Sequence, residues 1–404
     1  MSAGQLAVIR KDVRGITSNK QVLMVMLVVP LVLTIVVPSA LVLTAVLAPE
    51  TVSELQTLLD MLPAAGAASS QQAIFGLVLN NIMPAFFLLI PIMAGMGLNF
   101  GMTLGAMAGQ IGLILVADWQ IWGIPGLVLA AIISIPISIL LGLMCGVLLN
   151  RAKGREMITS YIISFFVNGV YMLVVLYMMG PIIPIAHNTL KLPRGYGIRN
   201  TVSLLPMRQT IDNALAIYVG GVKIPVLTLI IIAVACLFIV WFRKTKLGQD
   251  MRAVGQDMEV ARDAGINVER TRIISMVIST VFAGFGMIIY LQNLGNFPTY
   301  SAHTNVGMFC IAALLVGGAS VEKASIGNVF LGVLLFHTMF IVAPAAGTKI
   351  TGDSMIGEYF RVFVSYAVIT VALVMYEAKK RKENRTLGQQ LAIEQKAEEE
   401  GRTA

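Results

Sequence analysis

Apolar residues run along this chain in long unbroken stretches separated by short polar segments. About ten stretches are candidate membrane crossings, near residues 22–48, 73–98, 101–117, 124–149, 157–180, 223–243, 273–293, 306–320, 325–344 and 360–376. A helix of about 20 apolar residues crosses the hydrocarbon layer of a bilayer. Backbone groups in lipid must be satisfied internally, and the period-two alternation of a barrel is absent. The pattern predicts an all-α polytopic membrane protein. The runs at 101–117 and 306–320 are short and rich in Gly, which predicts tilted, broken or re-entrant segments.

The polar segments orient this bundle. Arg10, Lys11, Arg14 and Lys20 precede the first run. Most of the 29 Lys and Arg fall in segments that lie on one side when the N-terminus is placed inside. Basic loops stay on the cytoplasmic side, so both termini are expected there. The run from Val22 to Ala48 is too long for the apolar part of a cleaved signal and is expected to remain as the first span. This divides the chain into a cytoplasmic segment 1–21, a membrane domain 22–376 and a charged cytoplasmic tail 377–404. The external loop 181–222 is broken by Pro181, Pro184, Pro193 and Gly195, with a short surface helix expected over 208–218. It either caps the bundle or receives a partner. Five spans on each side of this loop would permit an inverted repeat, a common transporter plan.

Composition agrees. The chain is 57% hydrophobic and 12% charged, about half the charged fraction of a soluble domain. The net charge of +8 lies between apolar runs, where it serves orientation rather than nucleic-acid binding. Cys145, Cys236 and Cys310 sit inside apolar runs at unrelated spacings, as reduced packing residues do.

One polar segment is too long to be a mere connection. Residues 244–272 lie between two apolar runs and include RAVGQDMEVARDAGINVERTR. Val254, Met258 and Ala261 fall at i, i+4 and i+7, one apolar stripe on a short helix. Asp257 and Glu259 are placed in its first turn, where the helix dipole favours acidic groups. Gly265 is placed as a left-handed C-cap, with Ile266 beyond it. So short a helix is marginal alone in water and needs a surface to dock against.

The string RAVGQDMEVARDAGINVERTRIISMVIST, continued by Ala283, Gly284 and Gly286, resembles the coupling loop of type II ABC importer permeases, the branched-chain amino acid, ribose and simple-sugar group. GMGLNFGMTLGAMAGQIGL (95–113) is similar to the Gly-rich signature of the sugar and nucleoside members, although Thr103, Leu104 and Gly105 replace the Glu-Gly-Gln that some carry. GLMCGVLLNRAKGREMITSYIIS (142–164) and IAALLVGGASVEKASIGNVFLGVLLF (311–336) resemble two further family segments, with Val321–Ala324 in place of a second Gly pair. The resemblance covers about 95–376. Residues 1–94 look more like the start of a sodium- or drug-exporting ABC permease, so a hybrid joined near 92–96 is one expectation.

The resemblance implies the type II importer permease fold and a set of partners. These are two ABC ATPase subunits, a second permease chain (same or related) and an extracytoplasmic solute-binding protein, in a bacterial cytoplasmic membrane. It places Arg252, Gly255, Asp257, Met258, Glu259, Ala261, Arg262 and Gly265 at the contact with the ATPase. The chain itself holds no GxxxxGK[ST] loop, so ATP and Mg are expected on the partner subunits, with no cofactor, metal or catalytic centre in this chain. No candidate span holds Asp, Glu, Lys or Arg near its centre, which argues against ion-coupled transport. Asn99, Gln110, Asn168 and Tyr171 are uncharged donors and acceptors inside spans. They suit a path for a small polar solute, a simple sugar or nucleoside first and a branched-chain amino acid next; interhelical hydrogen bonding is the competing role. An exporter permease, or a non-transporting membrane scaffold or receptor that docks by the same loop, are the rival functions.

Overall fold

A computed structural model of the chain describes residues 82–351, apart from 83, 87, 194–195, 220–221 and 320–323, and individual residues between 356 and 370. The proposed spans 22–48 and 360–376, the segment 1–21 and the tail 377–404 lie wholly or mainly outside the described residues. The chain divides into a large unit, residues 43–341, and a second made of 1–42 and 342–404. In the second unit, helical residues recur from Ile356 to Thr370, where Thr370 Oγ1 donates to the carbonyl of Tyr366 at 2.9 Å.

The described residues from 89 to 351 are mainly helical. In order come α1 (Leu89–Met93), α2 (Met102–Asp118), α3 (Gly123–Arg151) and α4 (Glu156–Leu173), the last continued by a π-helical turn, Val174–Met178. After β1 (Thr201–Ser203) follow α5 (Thr210–Ala214), the strands β2 (Ala216–Val219) and β3 (Val222–Pro225), and α6 (Val226–Phe242). Then come α7 (Lys246–Gln256), α8 (Met258–Asp263), α9 (Val268–Leu294), β4 (Asn296–Pro298), α10 (Ala302–Val316) and α11 (Ile326–Thr351). Among the described residues, α3, α9 and α4 with its π turn are long and apolar enough to cross a membrane. The pair α6–α7, bent by 73°, makes a fourth candidate, and α2 and α10 are shorter apolar helices. This is a polytopic helical bundle.

Two expectations are corrected. The run at 73–98 was expected to continue as a span, but the chain leaves helix after Met93. Gly95 and Gly97 have φ of +71° and +64°, a backbone that L side chains rarely adopt. The helix expected over 208–218 is only Thr210–Ala214, and Ala216 begins a strand paired with β3 from Ala216↔Pro225 to Val219↔Val222. The β-branched and aromatic residues of AIYV favour strand over helix there.

The centre of the unit is a trio, α2, α3 and α9. Nearly every residue of α2 is buried, so it has no outward face. Its small residues let backbones cross. A Cβ at Gly105 would run into the carbonyl of Thr280, one at Gly109 into Gly284, and one at Gly112 into Ala130. On α3, a Cβ at Gly142 would lie 3.0 Å from Val277 Cα and one at Gly146 3.1 Å from Ile273 Cα. Lipid offers little hydrophobic drive for helices to associate, so close backbone packing must supply it. Val128, Ile132 and Leu140 on α3, and Val234 and Leu237 on α6, stay exposed, as lipid-facing residues do.

The segment between α4 and α6 caps this bundle at one end. Asp118, at the end of α2, accepts the backbone N–H groups of Ala186 and His187 at 3.0 and 2.9 Å. Ile198, Val202, Leu204 and Met207 are fully buried. β1 pairs antiparallel with β4, Val202 opposite Phe297, fastening the cap to the α9–α10 connection.

Candidate functional site

Three of the four polar span residues meet inside the bundle. Gln110 on α2 donates from Nε2 to Tyr171 Oη at 3.1 Å and to the carbonyl of Thr299 at 2.5 Å. Tyr171, near the end of α4, donates to the same carbonyl at 2.9 Å. His303, in the first turn of α10, joins them: its Nδ1 lies 3.0 Å from Gln110 Oε1 and its Nε2 2.8 Å from Asn168 Oδ1. The Tyr171 and His303 rings stack edge to face, 4.9 Å between centroids. Gln110 and His303 are fully buried and Tyr171 nearly so.

The hydrogen-bond directions constrain the imidazole. Gln110 spends both amide hydrogens on Thr299 and Tyr171, so its oxygen must accept, and His303 Nδ1 carries a proton. A neutral imidazole then accepts at Nε2, which requires Asn168 to present its amide nitrogen; oxygen and nitrogen of an Asn amide are assigned rather than seen. No member of the quartet is a carboxylate that would hold a cation there. The cluster is therefore a neutral set of amide, phenol and imidazole groups. Each can donate or accept to hydroxyls without the cost of burying a charge.

Asn99 does not join it. Its Oδ1 accepts the Gly101 N–H at 2.6 Å and its Nδ2 lies 3.1 Å from Met276 Sδ. It braces the glycine-rich break ahead of α2.

The second region is the segment 244–272. It folds as two helices with a break at Asp257, where one helix carrying the stripe was expected. Asp257 is the N-cap of α8, accepting from Glu259 N at 2.8 Å and Val260 N at 3.1 Å; this competition for the backbone is what ends α7. Glu259 stands in the first turn. Gly265 has φ +82°, and Ile266 N bonds to Ala261 O at 3.0 Å, a left-handed close in which Ile266 folds back on the loop. Asn267 then caps α9, accepting from Arg270 N at 3.0 Å.

The apolar stripe faces inward. Val254 and Ala261 are 1% and 3% exposed and pack with Val268, Met258 and Ile266. It was expected to be the docking surface; instead the chain's own α9 covers it, because residues at this spacing find a partner within the loop. Left outward are Arg252, Glu259, Val260, Arg262, Asp263 and Gly265, with Val260 64% exposed. Gly255 packs backbone to backbone on the break before α2: a Cβ on Gly95 would fall 2.9 Å from Gly255 Cα.

Sequence reasoning missed one buried ion pair. Arg272, one turn into α9, is fully buried; its Nη2 meets Glu156 Oε1 at 2.6 Å and its Nη1 lies 3.0 Å from Met258 Sδ. Arg272 was counted with the basic loop residues. The available signal was Glu156, an acid opening an otherwise apolar run. His303 was missed because it precedes the run at 306–320.

A family profile described as "Branched-chain amino acid transport system / permease component" matches residues 85–373. The nucleoside ABC transporter permease protein NupB of Lactococcus lactis subsp. cremoris is 26% identical over 297 residues, 70% of this chain and 72% of the relative. The xylose transport system permease protein XylH of Haemophilus influenzae is 36% identical over 122 residues, 30% of this chain and 32% of the relative. The galactose/methyl galactoside import permease protein MglC of the same organism is 27% identical, over 40% of this chain and 46% of the relative. Apart from the nucleoside permease, these matches span about a third to a half of each relative's length. No solved structure matches the chain.

Proposed function

The chain belongs to the branched-chain amino acid transport permease family, and we propose that it is the membrane-spanning subunit of an ATP-driven ABC importer for a small polar solute. A simple sugar or a nucleoside is the first cargo, a branched-chain amino acid the second. The neutral cluster of Gln110, Asn168, Tyr171 and His303 carries this reading: in a bundle whose candidate spans lack mid-membrane charge, it concentrates the uncharged donors and acceptors that hydroxyl-bearing solutes exchange hydrogen bonds with. The relatives named for nucleoside, xylose and galactose transport support the same cargo class. The exporter-like reading of residues 1–94 touches the family match only at its edge, since that match begins at residue 85.

In this reading the protein sits in a bacterial inner membrane, with both termini and the 244–272 loop in the cytoplasm. The outward residues of α8 meet a separate ATPase subunit, which binds ATP and Mg. Two permease chains alternate which side is open, and a solute-binding protein delivers cargo at the capped end. Proteoliposomes containing this chain with its cognate ATPase and binding protein test the proposal. ATP-dependent uptake of labelled ribonucleoside or pentose, requiring the binding protein, is expected. ATP-driven accumulation in inside-out vesicles without binding protein would instead make it an exporter, and no solute-stimulated hydrolysis would make it a scaffold or receptor.

A further inference from the structure

We infer that α4 is the lever that carries displacement of the α7–α8 loop to the buried polar cluster, with Glu156 and Arg272 as its positioning residues; the inference rests on the importer reading above. Three observations on α4 converge.

Its two ends touch the two regions that transport must connect. At its start, Glu156 is paired with Arg272, whose other terminal nitrogen contacts Met258, the first residue of α8. At its far end, Asn168 and Tyr171 belong to the polar cluster. Fifteen residues separate Glu156 from Tyr171, a helical rise of roughly 22 Å.

A second tether reaches the same loop by another route. Ser160 Oγ accepts the Phe100 N–H at 3.1 Å and Ser164 Oγ donates to the Phe100 carbonyl at 2.8 Å. Phe100 ends the glycine-rich break whose Gly95 abuts Gly255 of α7. Both connections enter α4 within its first three turns, so a shift of α7–α8 presses on one end of the helix.

The helix is also built to move. It buries one face only, Ser160, Ile163, Ser164, Val167 and Tyr171, while Ile162, Phe165 and Phe166 stand exposed. Within Glu156–Leu173 no glycine locks the backbone to a neighbour as in the central trio; such a contact comes only beyond it, where Gly197 lies on the Leu176 backbone and Ile198 N bonds to Val175 O at 3.2 Å. The π turn Val174–Met178 follows Tyr171 directly. Such turns recur at functional sites; here, bonded to the cap through Val175 O, it supplies the fixed far pivot. Packing alone transmits a push in no fixed direction. The ion pair and the Arg272–Met258 contact set the direction, because they hold α8 and α4 to a single side chain.

The test uses the full chain with its ATPase in nanodiscs. An environment-sensitive fluorophore is placed at Phe166→Cys in a Cys236→Ser background, Cys145 and Cys310 being buried. Trapping the ATPase with ATP and vanadate is expected to shift the emission in the otherwise native chain. Glu156→Gln should reduce that shift at least threefold while the ATPase still co-purifies. Removing a buried ion pair in favour of apolar side chains is often neutral for stability, so Glu156→Leu with Arg272→Met provides a folded control. If the pair only holds the fold together, this double variant keeps the shift and the inference is overturned; loss of the shift in a stable complex supports it. An unmoved probe in a complex that does transport overturns the lever but leaves the importer reading intact. Absence of ATP-driven uptake in the unlabelled native complex sinks both.

Discussion

The central trio of α2, α3 and α9 and the helix α4 solve opposite problems. In the trio, glycines stand wherever two backbones cross, and α2 has no exposed side. α4 has one buried face, is held by a few directed polar contacts and ends in a π turn. Close backbone packing fixes relative position tightly but tolerates no change at the crossing. A one-sided helix with polar tethers can tilt while its end contacts are exchanged. The difference separates a locked crossing from a helix held by few contacts, and the buried Glu156–Arg272 pair ties α4 to α9 of the trio.

The contrast can be broken experimentally. The largest effect is expected from Arg272→Met alone, which leaves Glu156 buried without its partner; about 3–5 kcal/mol of stability should be lost, seen as loss of monodisperse protein after mild heating. The Glu156→Leu and Arg272→Met pair should recover most of it. Next comes Gly105→Ala, which drives a methyl into the Thr280 carbonyl and should cost about 1–3 kcal/mol; a matching Gly169→Ala on α4, where a Cβ meets nothing, should cost nothing measurable in the same assay. Gln110→Ala leaves His303 Nδ1 unpaired, while Tyr171 and the Thr299 carbonyl keep each other, and should cost about 1–3 kcal/mol. It should also lower solute uptake more than ATP hydrolysis. The smallest change in stability, within about 0.5 kcal/mol for an exposed site, is expected from Val260→Asp, which should nevertheless reduce ATPase co-purification several-fold. Ala261→Glu, by contrast, forces a charge into the buried stripe and should unfold the loop.

How much of this was legible in sequence varied with the kind of information needed. The run lengths located α3, α4, α6 and α9 because apolar length is a one-dimensional property. Gly265 and its C-cap were readable because a left-handed residue has a local signature. Period alone could say that Val254, Met258 and Ala261 share a face, but not whether a partner or the chain's own Val268 covers it. Asp257 was misplaced by one step, from first turn to cap, and that step splits one helix into two. The polar cluster was three-quarters legible: Gln110, Asn168 and Tyr171 stand out as polar residues in apolar runs. His303 lies at a run's edge, where a polar residue carries no signal. Nothing in the sequence brings Glu156 to Arg272, 116 residues away.

The same separation along the chain bears on biogenesis. Gln110 is made well before most of its partners: Tyr171 follows 61 residues on, but Thr299 and His303 lie 189 and 193 residues further on. At elongation rates of about 5–20 residues per second, α2 waits roughly 10–40 s for its full set of hydrogen bonds and for the α9 backbone that Gly105 and Gly109 pack on. For that interval the nascent helix fits lipid less well than the finished bundle, and α9 and α10 complete its packing.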